Sequence, residues 1–416
     1  MSIAVNGQPL VEVLPQVPVT QRAEFARAVL SQVYPDVVQA FDALPKEVRD
    51  RCVLFVGIML YRRELRVAES ARLAGWYPVL LGSLEPKFAL PGPFVYHKVV
   101  PDTSLQILVS WLFPGRLMHL FVWNGMQAPF YLLHKSKPLI LDLYDNISQA
   151  KMFPPHVHQA EREAIAAADG MTHRDLRVKY LQHDFGYSLA KQNIFLPDAI
   201  PPREAALARS IRNSNGSEIH VVSVGSNDSR KGTGDNCILR TAELLCAHGI
   251  HVHVYFNPYQ TLGDATTAGH FPLTQQTPYF HIEKHVYGDD YWRALKQYDF
   301  GLAATDPLVF GEESSELNER QLAICGSARV SDYITAGLPV ILAPRLRFQN
   351  FWIRRYGATI VPTNEEFIRA PRAVLERALA VEATRTSMPD FSSITMAGMA
   401  DRLGRFYERV AAASSG

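Results

Sequence analysis

Residues 51–82, RCVLFVGIMLYRRELRVAESARLAGWYPVLLG, decide the fold class. The first ten form a continuous apolar run of strand length, the pattern of a strand buried on both faces. In the segment that follows, Leu65, Ala68, Ala71 and Ala74 return to one helical face, and Gly75 stops the helix. YPVLLG (77–82) is a second strand. A strand, a helix and a strand in this order are the unit of a parallel sheet.

The alternation continues outward from there. MHLFVWNG (118–125) reads as a strand and loop, QAPFYLLHKSK as a helix, and PLILDLYDN (138–146) as a strand ending in two carboxylates. A helix with Glu161, Glu163 and Ile165, a short strand at ADGMTH and a further helix follow. The proline-rich NIFLPDAIPP and the polar RSIRNSNGSE (209–218) mark an interdomain linker. A second β/α series opens at IHVVSVGS. It runs through CILRTAELLCAHG, IHVHVYF, YFHIEKHV, DDYWRALKQYD, FGLAAT, an acidic insertion GEESSELNERQ, LPVILAP, FQNFWIRRYG and ATIVPT. The expected organisation is α/β, with two Rossmann-like domains whose parallel sheets face a central cleft. Residues 1–48 are an N-terminal extension, 49–205 the first domain, 206–217 the linker and 218–390 the second domain. Residues 391–416 are a C-terminal helix, with Met396, Met399, Leu403, Phe406 and Val410 on one packing face.

Bulk properties agree with this. A chain of 416 residues is too long for one ordinary core and fits two domains. With 47% hydrophobic and 20% charged residues it has globular composition. The net charge of +1 gives no general attraction to nucleic acid, so no nucleic-acid partner is expected. Cys52, Cys237, Cys246 and Cys325 lack metal or redox spacing and read as reduced, buried thiols of a cytoplasmic protein. The first twenty residues lack a basic start followed by a long apolar core, so no signal peptide is expected. The longest apolar runs, VLFVGIML and ILVSWLF, are strand-length, which argues against a membrane-spanning helix.

Two stretches carry chemistry. In VGSNDSRKGT (224–233), Gly225 lets the backbone turn close to a ligand, and Lys231, with Arg230 as a second candidate, offers a point charge suited to phosphate. An exposed basic turn is the bland account of the same residues. In GSARVSDYITAGLPVI (326–341), Ser327 is placed to cap a helix that ends at Gly337. The amides of Ser327, Ala328 and Arg329 would then form an anion site with the helix dipole behind it. Both stretches fall where strands of a parallel sheet exit, the edge at which such sheets bind ligands.

With these residues in place the chain resembles a known family. VVSVGSNDSRKGT, YDFGLAAT and SDYITAGLPVI are similar to the nucleotide-sugar domain of GT-B glycosyltransferases, most of all glycosyltransferase family 4 / glycosyl transferases group 1. YRRELRVAESARLAGWYPVLL, PLILDLYDN, EREAIAAADGMTHRDLRVKYL and NIFLPDAI follow the order those enzymes use, so the resemblance covers most of residues 50–363. It implies a nucleotide-diphosphate sugar held between the domains. Lys231 matches the basic residue on the diphosphate, and the Ser327–Ala328–Arg329 amides match the helix start that cradles it. Asp332 stands where the family has the second Glu of its Glu-(seven residues)-Glu pattern, a ribose ligand. Val286 and Tyr287 stand where nucleobase contacts lie. The resemblance further implies a glycan or lipid-linked acceptor, a role in surface polysaccharide assembly, retention of configuration, no cofactor and no metal. It also implies a final helix that crosses back to the first domain.

The sequence departs from that pattern at two places. Ile324 replaces the first Glu of the pair, and Tyr144 falls where the family has a cleft histidine. Glu312, Glu313, Glu316 and Glu319 lie in the acidic insertion before Ile324 and could offer a substitute. Asp145, at a strand exit, is the candidate catalytic residue and would be the general base of an inverting enzyme; a turn-forming role is the alternative for it and for Asp142. The departures keep two other functions open, a catalytically silent sugar-nucleotide binder or scaffold and a sugar-nucleotide epimerase. His251 and His253 alternate on one strand face, but the sequence presents no third ligand, so an ordinary strand face accounts for them. FPGRLMHLFVW joins basic and aromatic residues and leaves room for peripheral membrane contact, although a buried strand accounts for it equally.

Overall fold

The computed structural model describes the chain except residues 1–3, 6, 59, 61, 88–91, 123–124, 144–153, 201–217, 228–236, 265–266, 304–322, 385–389 and 414–416. Two parallel sheets organise it. The first holds β1 (Cys52–Gly57), β2 (Tyr77–Gly82), β3 (Tyr96–Val99), β4 (Leu117–Phe121), β5 (Leu139–Leu143), β6 (Gly170–His173) and β7 (Gln192–Phe195). Its order is β3-β2-β1-β4-β5-β6-β7. The second holds β8 (His220–Gly225), β9 (His251–Phe256), β10 (Phe280–Ile282), β11 (Phe300–Leu302), β12 (Val340–Leu342) and β13 (Ile360–Pro362), in the order β10-β9-β8-β11-β12-β13. Every pairing in both sheets is parallel. Each sheet therefore reverses direction beside its first strand, the topological switch point of a dinucleotide-binding fold.

The helices that matter for the site are α1 (Arg22–Val33), α2 (Pro35–Ala43), α3 (Arg62–Leu73), α4 (Thr103–Leu112), α5 (Gly288–Leu295), α6 (Ala328–Thr335) and α7 (Met396–Ala413). β1 is buried at all six positions, as its unbroken apolar run requires. Gly75 ends α3 with φ of +78°, a conformation that glycine adopts without steric cost. The N-terminal residues join the first core, where Leu30 of α1 and Phe41 of α2 are buried with Cys52, Leu54, Trp111 and Phe113. All four cysteines are buried thiols outside any disulfide. Among the described residues no helix is long and apolar enough to cross a membrane.

One sequence expectation changes, and one apolar run noted only for its length takes a helical place. ILVSWLF forms the second half of helix α4, whose N-cap Asp102 accepts the Leu105 amide at 3.0 Å. The helix is buried on every side from Leu105 to Trp111, so it shows no polar face and its apolar run looks like a strand. NIF, read as the start of a linker, is instead in β7, the edge strand of the first sheet. At four residues, with a proline soon after, it was too short to register as a strand.

The last helix packs on the first sheet. A Cβ on Gly170 would lie 2.8 Å from Val410, and one on Gly404 would lie 3.0 Å from Ala74. Tyr407 meets Trp76 edge-on and its hydroxyl lies 2.8 Å from His119 Nδ1. His119 is fully buried, also contacts Thr172 Oγ1 at 3.2 Å, and burial pushes its pKa down to about 3. The folded value lies below the unfolded one, about 6.5. The stabilising effect of the neutral ring is therefore complete above pH 6.5 and is lost as pH falls from there. Between pH 6 and pH 4 the wild-type unfolding free energy should fall by about 1.4 kcal/mol per pH unit more steeply than that of His119→Gln. Urea unfolding across that range measures it, and parallel profiles would contradict it.

Candidate functional site

The carboxyl end of the second sheet is built around β8 and α6. Gly225 closes β8 with φ of +99°, and the chain then passes Ser226 and Asn227. The Arg329 guanidinium, from the first turn of α6, donates to the Ser226 carbonyl at 2.5 Å and lies 3.5 Å from Asn227 Oδ1. Tyr333, one turn further on, fixes the helix to the sheet. Its hydroxyl accepts the Val224 amide and donates to the Leu302 carbonyl, each at 3.1 Å. Gly301 makes this approach feasible, because a methyl there would overlap the Tyr333 ring. The two stretches singled out in the sequence thus meet at one switch point, through Gly225 and Arg329. Arg230, Lys231 and Asp145 lie outside the described residues.

The start of α6 faces the first sheet's half of the molecule. Ser327 takes the N-cap position with extended backbone, φ of −143°, but its side chain makes no capping bond. An anionic oxygen from the other half reaches the neighbouring amide: Asp175 Oδ2 accepts the Gly326 N–H at 2.8 Å. Arg177 holds Asp175 through Nε at 2.8 Å and Nη2 at 2.8 Å. Burial opposes the charge on Asp175, but Arg177 and Arg174 outweigh it and keep the carboxyl below its ordinary range. Arg174, Asp198, Ser327, Ser331 and Trp352 line a crevice at this junction.

A second cross-half cluster surrounds Asp332. The carboxylate is fully buried, and Arg62 Nη1 and Arg66 Nη2 of α3 each reach one of its oxygens at 2.5 Å. Tyr291 of α5 donates to Oδ2 at 2.7 Å, and Arg62 also lies over the Tyr291 ring at 3.9 Å. Burial raises the cost of the Asp332 charge, and Arg66 with Arg62 more than compensates, so the carboxyl stays ionised below its ordinary value. A ribose could reach this carboxylate only after those guanidiniums moved. Val286 and Tyr287 precede α5. Val286 is partly buried against the core, and Tyr287, 36% exposed, is the N-cap of the helix. Ile324, the apolar replacement for glutamate, is buried.

In the first half Asp142 is consumed by structure. Arg63 grips it with two bonds of 2.8 and 2.7 Å, and Thr172 donates at 2.6 Å. The same guanidinium reaches Asp198 at 3.2 Å. Sequence reasoning missed Arg62, Arg63, Arg66 and Asp175. The RR pair at 62–63 was visible, but its partners lie on segments 79 to 270 residues away.

No family model and no curated protein sequence matches the chain. Solved structures do match. The glycosyltransferase WaaG, involved in lipopolysaccharide biosynthesis, superposes with a TM-score of 0.53 at 15% identity over 84% of this chain and 99% of its own. HepE of Anabaena, in complex with UDP-glucose, gives 0.56 at 11% identity over 86% and 99%. Sucrose-phosphate synthase of Thermosynechococcus elongatus gives 0.54 at 11% over 88% and 98%. The chain has a GT-B fold, with two Rossmann-like halves of seven and six parallel strands.

Proposed function

We propose that the protein is a glycosyltransferase that moves a sugar from a nucleotide-diphosphate donor to a glycan or lipid-linked acceptor, in surface polysaccharide assembly at the cytoplasmic face of a membrane. The observation that carries this reading is the joining of the Gly225 turn to the start of α6 through Arg329, at the switch point of the second sheet and facing the first. Glycosyl transfer leaves negative charge on a departing diphosphate. Amides at a helix start and a nearby cation, held in place before reaction, stabilise that charge. Asp175 on the Gly326 amide is an anionic oxygen already accommodated at this end of the helix, which supports the electrostatic reading. A fold neighbour is described with UDP-glucose bound, and another serves lipopolysaccharide biosynthesis.

In this reading residues 218–390 are the donor domain and 49–205 the acceptor domain. Lys231, with Arg230, joins Ser327, Ala328 and Arg329 on the diphosphate, and Val286 and Tyr287 meet the base. Asp332 reaches the ribose once Arg62 and Arg66 release it, and Asp145 faces the acceptor. Transfer of a hexosyl unit with retention follows the resemblance.

A second reading, a binder without turnover, is favoured by buried Ile324 at the glutamate position. A panel of UDP-, GDP-, ADP- and CMP-sugars separates the two. Nucleotide release from one of them is expected for the transferase. Saturable nucleotide binding with no release and no transfer on any acceptor would establish the binder instead.

A further inference from the structure

The strand face that holds His251 and His253 is richer than two histidines. β8 and β9 pair in register, His220 beside His251 and Val222 beside His253, and β10 places His281 beside His253. Four imidazoles therefore share one face of three strands, and His220 and His251 stack at 4.5 Å between ring centroids. One ring nitrogen from each of His220, His251 and His253 lies within 4.8 Å of the others.

The second nitrogens are already assigned. Nδ1 of His253 lies 2.7 Å from Glu283 Oε1, and Nδ1 of His251 lies 2.9 Å from His281 Nε2. Each of these contacts leaves Nε2 as the ligating atom. A carboxylate behind a histidine is the usual backing of a metal ligand, since it fixes ring orientation and tautomer. Nε2 of His251 is buried without a hydrogen-bond partner. Nε2 of His253 lies 2.9 Å from His220 Nδ1, and Glu218 Oε2 lies 3.9 Å from Nε2 of both His220 and His251.

We propose that His220, His251 and His253 bind one divalent transition-metal ion of the zinc class, with Glu218 as fourth ligand. Zinc–nitrogen bonds of about 2.0–2.1 Å in a tetrahedron separate ligand nitrogens by about 3.4 Å, so side-chain rotation on fixed strands closes the site. Imidazole suits zinc, nickel and copper better than magnesium or calcium. Binding exchanges the His220–His253 hydrogen bond for two metal bonds: His220 coordinates through Nδ1, and its single ring proton moves from Nδ1 to Nε2 by exchange with water. His220 opens β8 and Gly225 closes it, so the ion lies about 16 Å along the strand from the donor edge at ~3.3 Å per residue. It is a structural staple across β8 and β9, not a participant in transfer.

The test is calorimetric titration of zinc chloride into untagged, chelator-stripped full-length protein. One ion per chain is expected, with the heat abolished in His251→Ala and in His253→Ala and the affinity lowered about 10-fold in Glu283→Gln. Cobalt(II) should give the visible bands of a tetrahedral site, absent from the same variants. Far-UV circular dichroism checks that each variant is folded. If the alanine variants do not fold, Glu283→Gln decides alone. Absence of zinc binding to the wild type overturns the proposal, as does unchanged binding in His251→Ala or, where only that variant folds, in Glu283→Gln.

Discussion

Replacing Asp332 with alanine is expected to destabilise the protein by about 3–5 kcal/mol, the usual cost of removing one partner from a buried ion pair. The carboxylate is inaccessible to water, and Arg62 and Arg66 converge on its two oxygens. Without it two guanidiniums face each other, Arg66 at only 8% side-chain exposure and Arg62 at 28%. Tyr291 also loses its acceptor. The effect should appear as a drop of several degrees in the thermal midpoint. The triple variant Arg62→Met, Arg66→Met, Asp332→Leu should recover most of the loss, because an apolar cluster of similar volume avoids the desolvation cost. An Asp332→Ala midpoint within a degree of wild type would mean that the ion pairs contribute nothing and that the two halves are held by other contacts.

Lys231→Ala is expected to lower kcat/KM for the sugar nucleotide by about 10²–10³, the scale of losing one positioned group that stabilises developing charge. Asn227 Oδ1 lies 3.5 Å from the Arg329 guanidinium. In the proposed reading Lys231, four residues further along the sequence, joins the α6 amides on the diphosphate. The loss should fall on the diphosphate and spare the nucleoside, so inhibition by the free nucleoside should not change. Equal weakening of nucleoside and donor would place Lys231 elsewhere.

Much of the fold was legible because its strands are short, apolar and separated by amphipathic helices that stop at glycine. Gly75, Gly249 and Gly337 all adopt positive φ at helix ends, as their positions suggested. Elements buried on every side were less legible. α4 has no polar face to reveal its period, and β7 is four residues long. α3 shows the deeper difficulty. Arg63 and Arg66 are buried with Val67, Ala68 and Ala71, whereas hydrophobic patterning assigns arginine to solvent. Their partners Asp142 and Asp332 sit on other strands and helices, a pairing no local window contains. The histidine face is a similar case. His251 and His253 were visible at a spacing of two, while His220 and His281 arrive only through strand register. The meeting of Gly225 with α6 followed from the rule that parallel sheets bind ligands at their carboxyl edge.

The most direct measurement is calorimetric binding of UDP, GDP and ADP, each beside its nucleoside, to wild type and Arg329→Ala. If the start of α6 and the Gly225 turn hold a diphosphate, one nucleotide binds the wild type and Arg329→Ala weakens it at least several-fold, while nucleoside affinity is unchanged. Binding of no diphosphate, or equal diphosphate affinity in both proteins, would contradict the assignment.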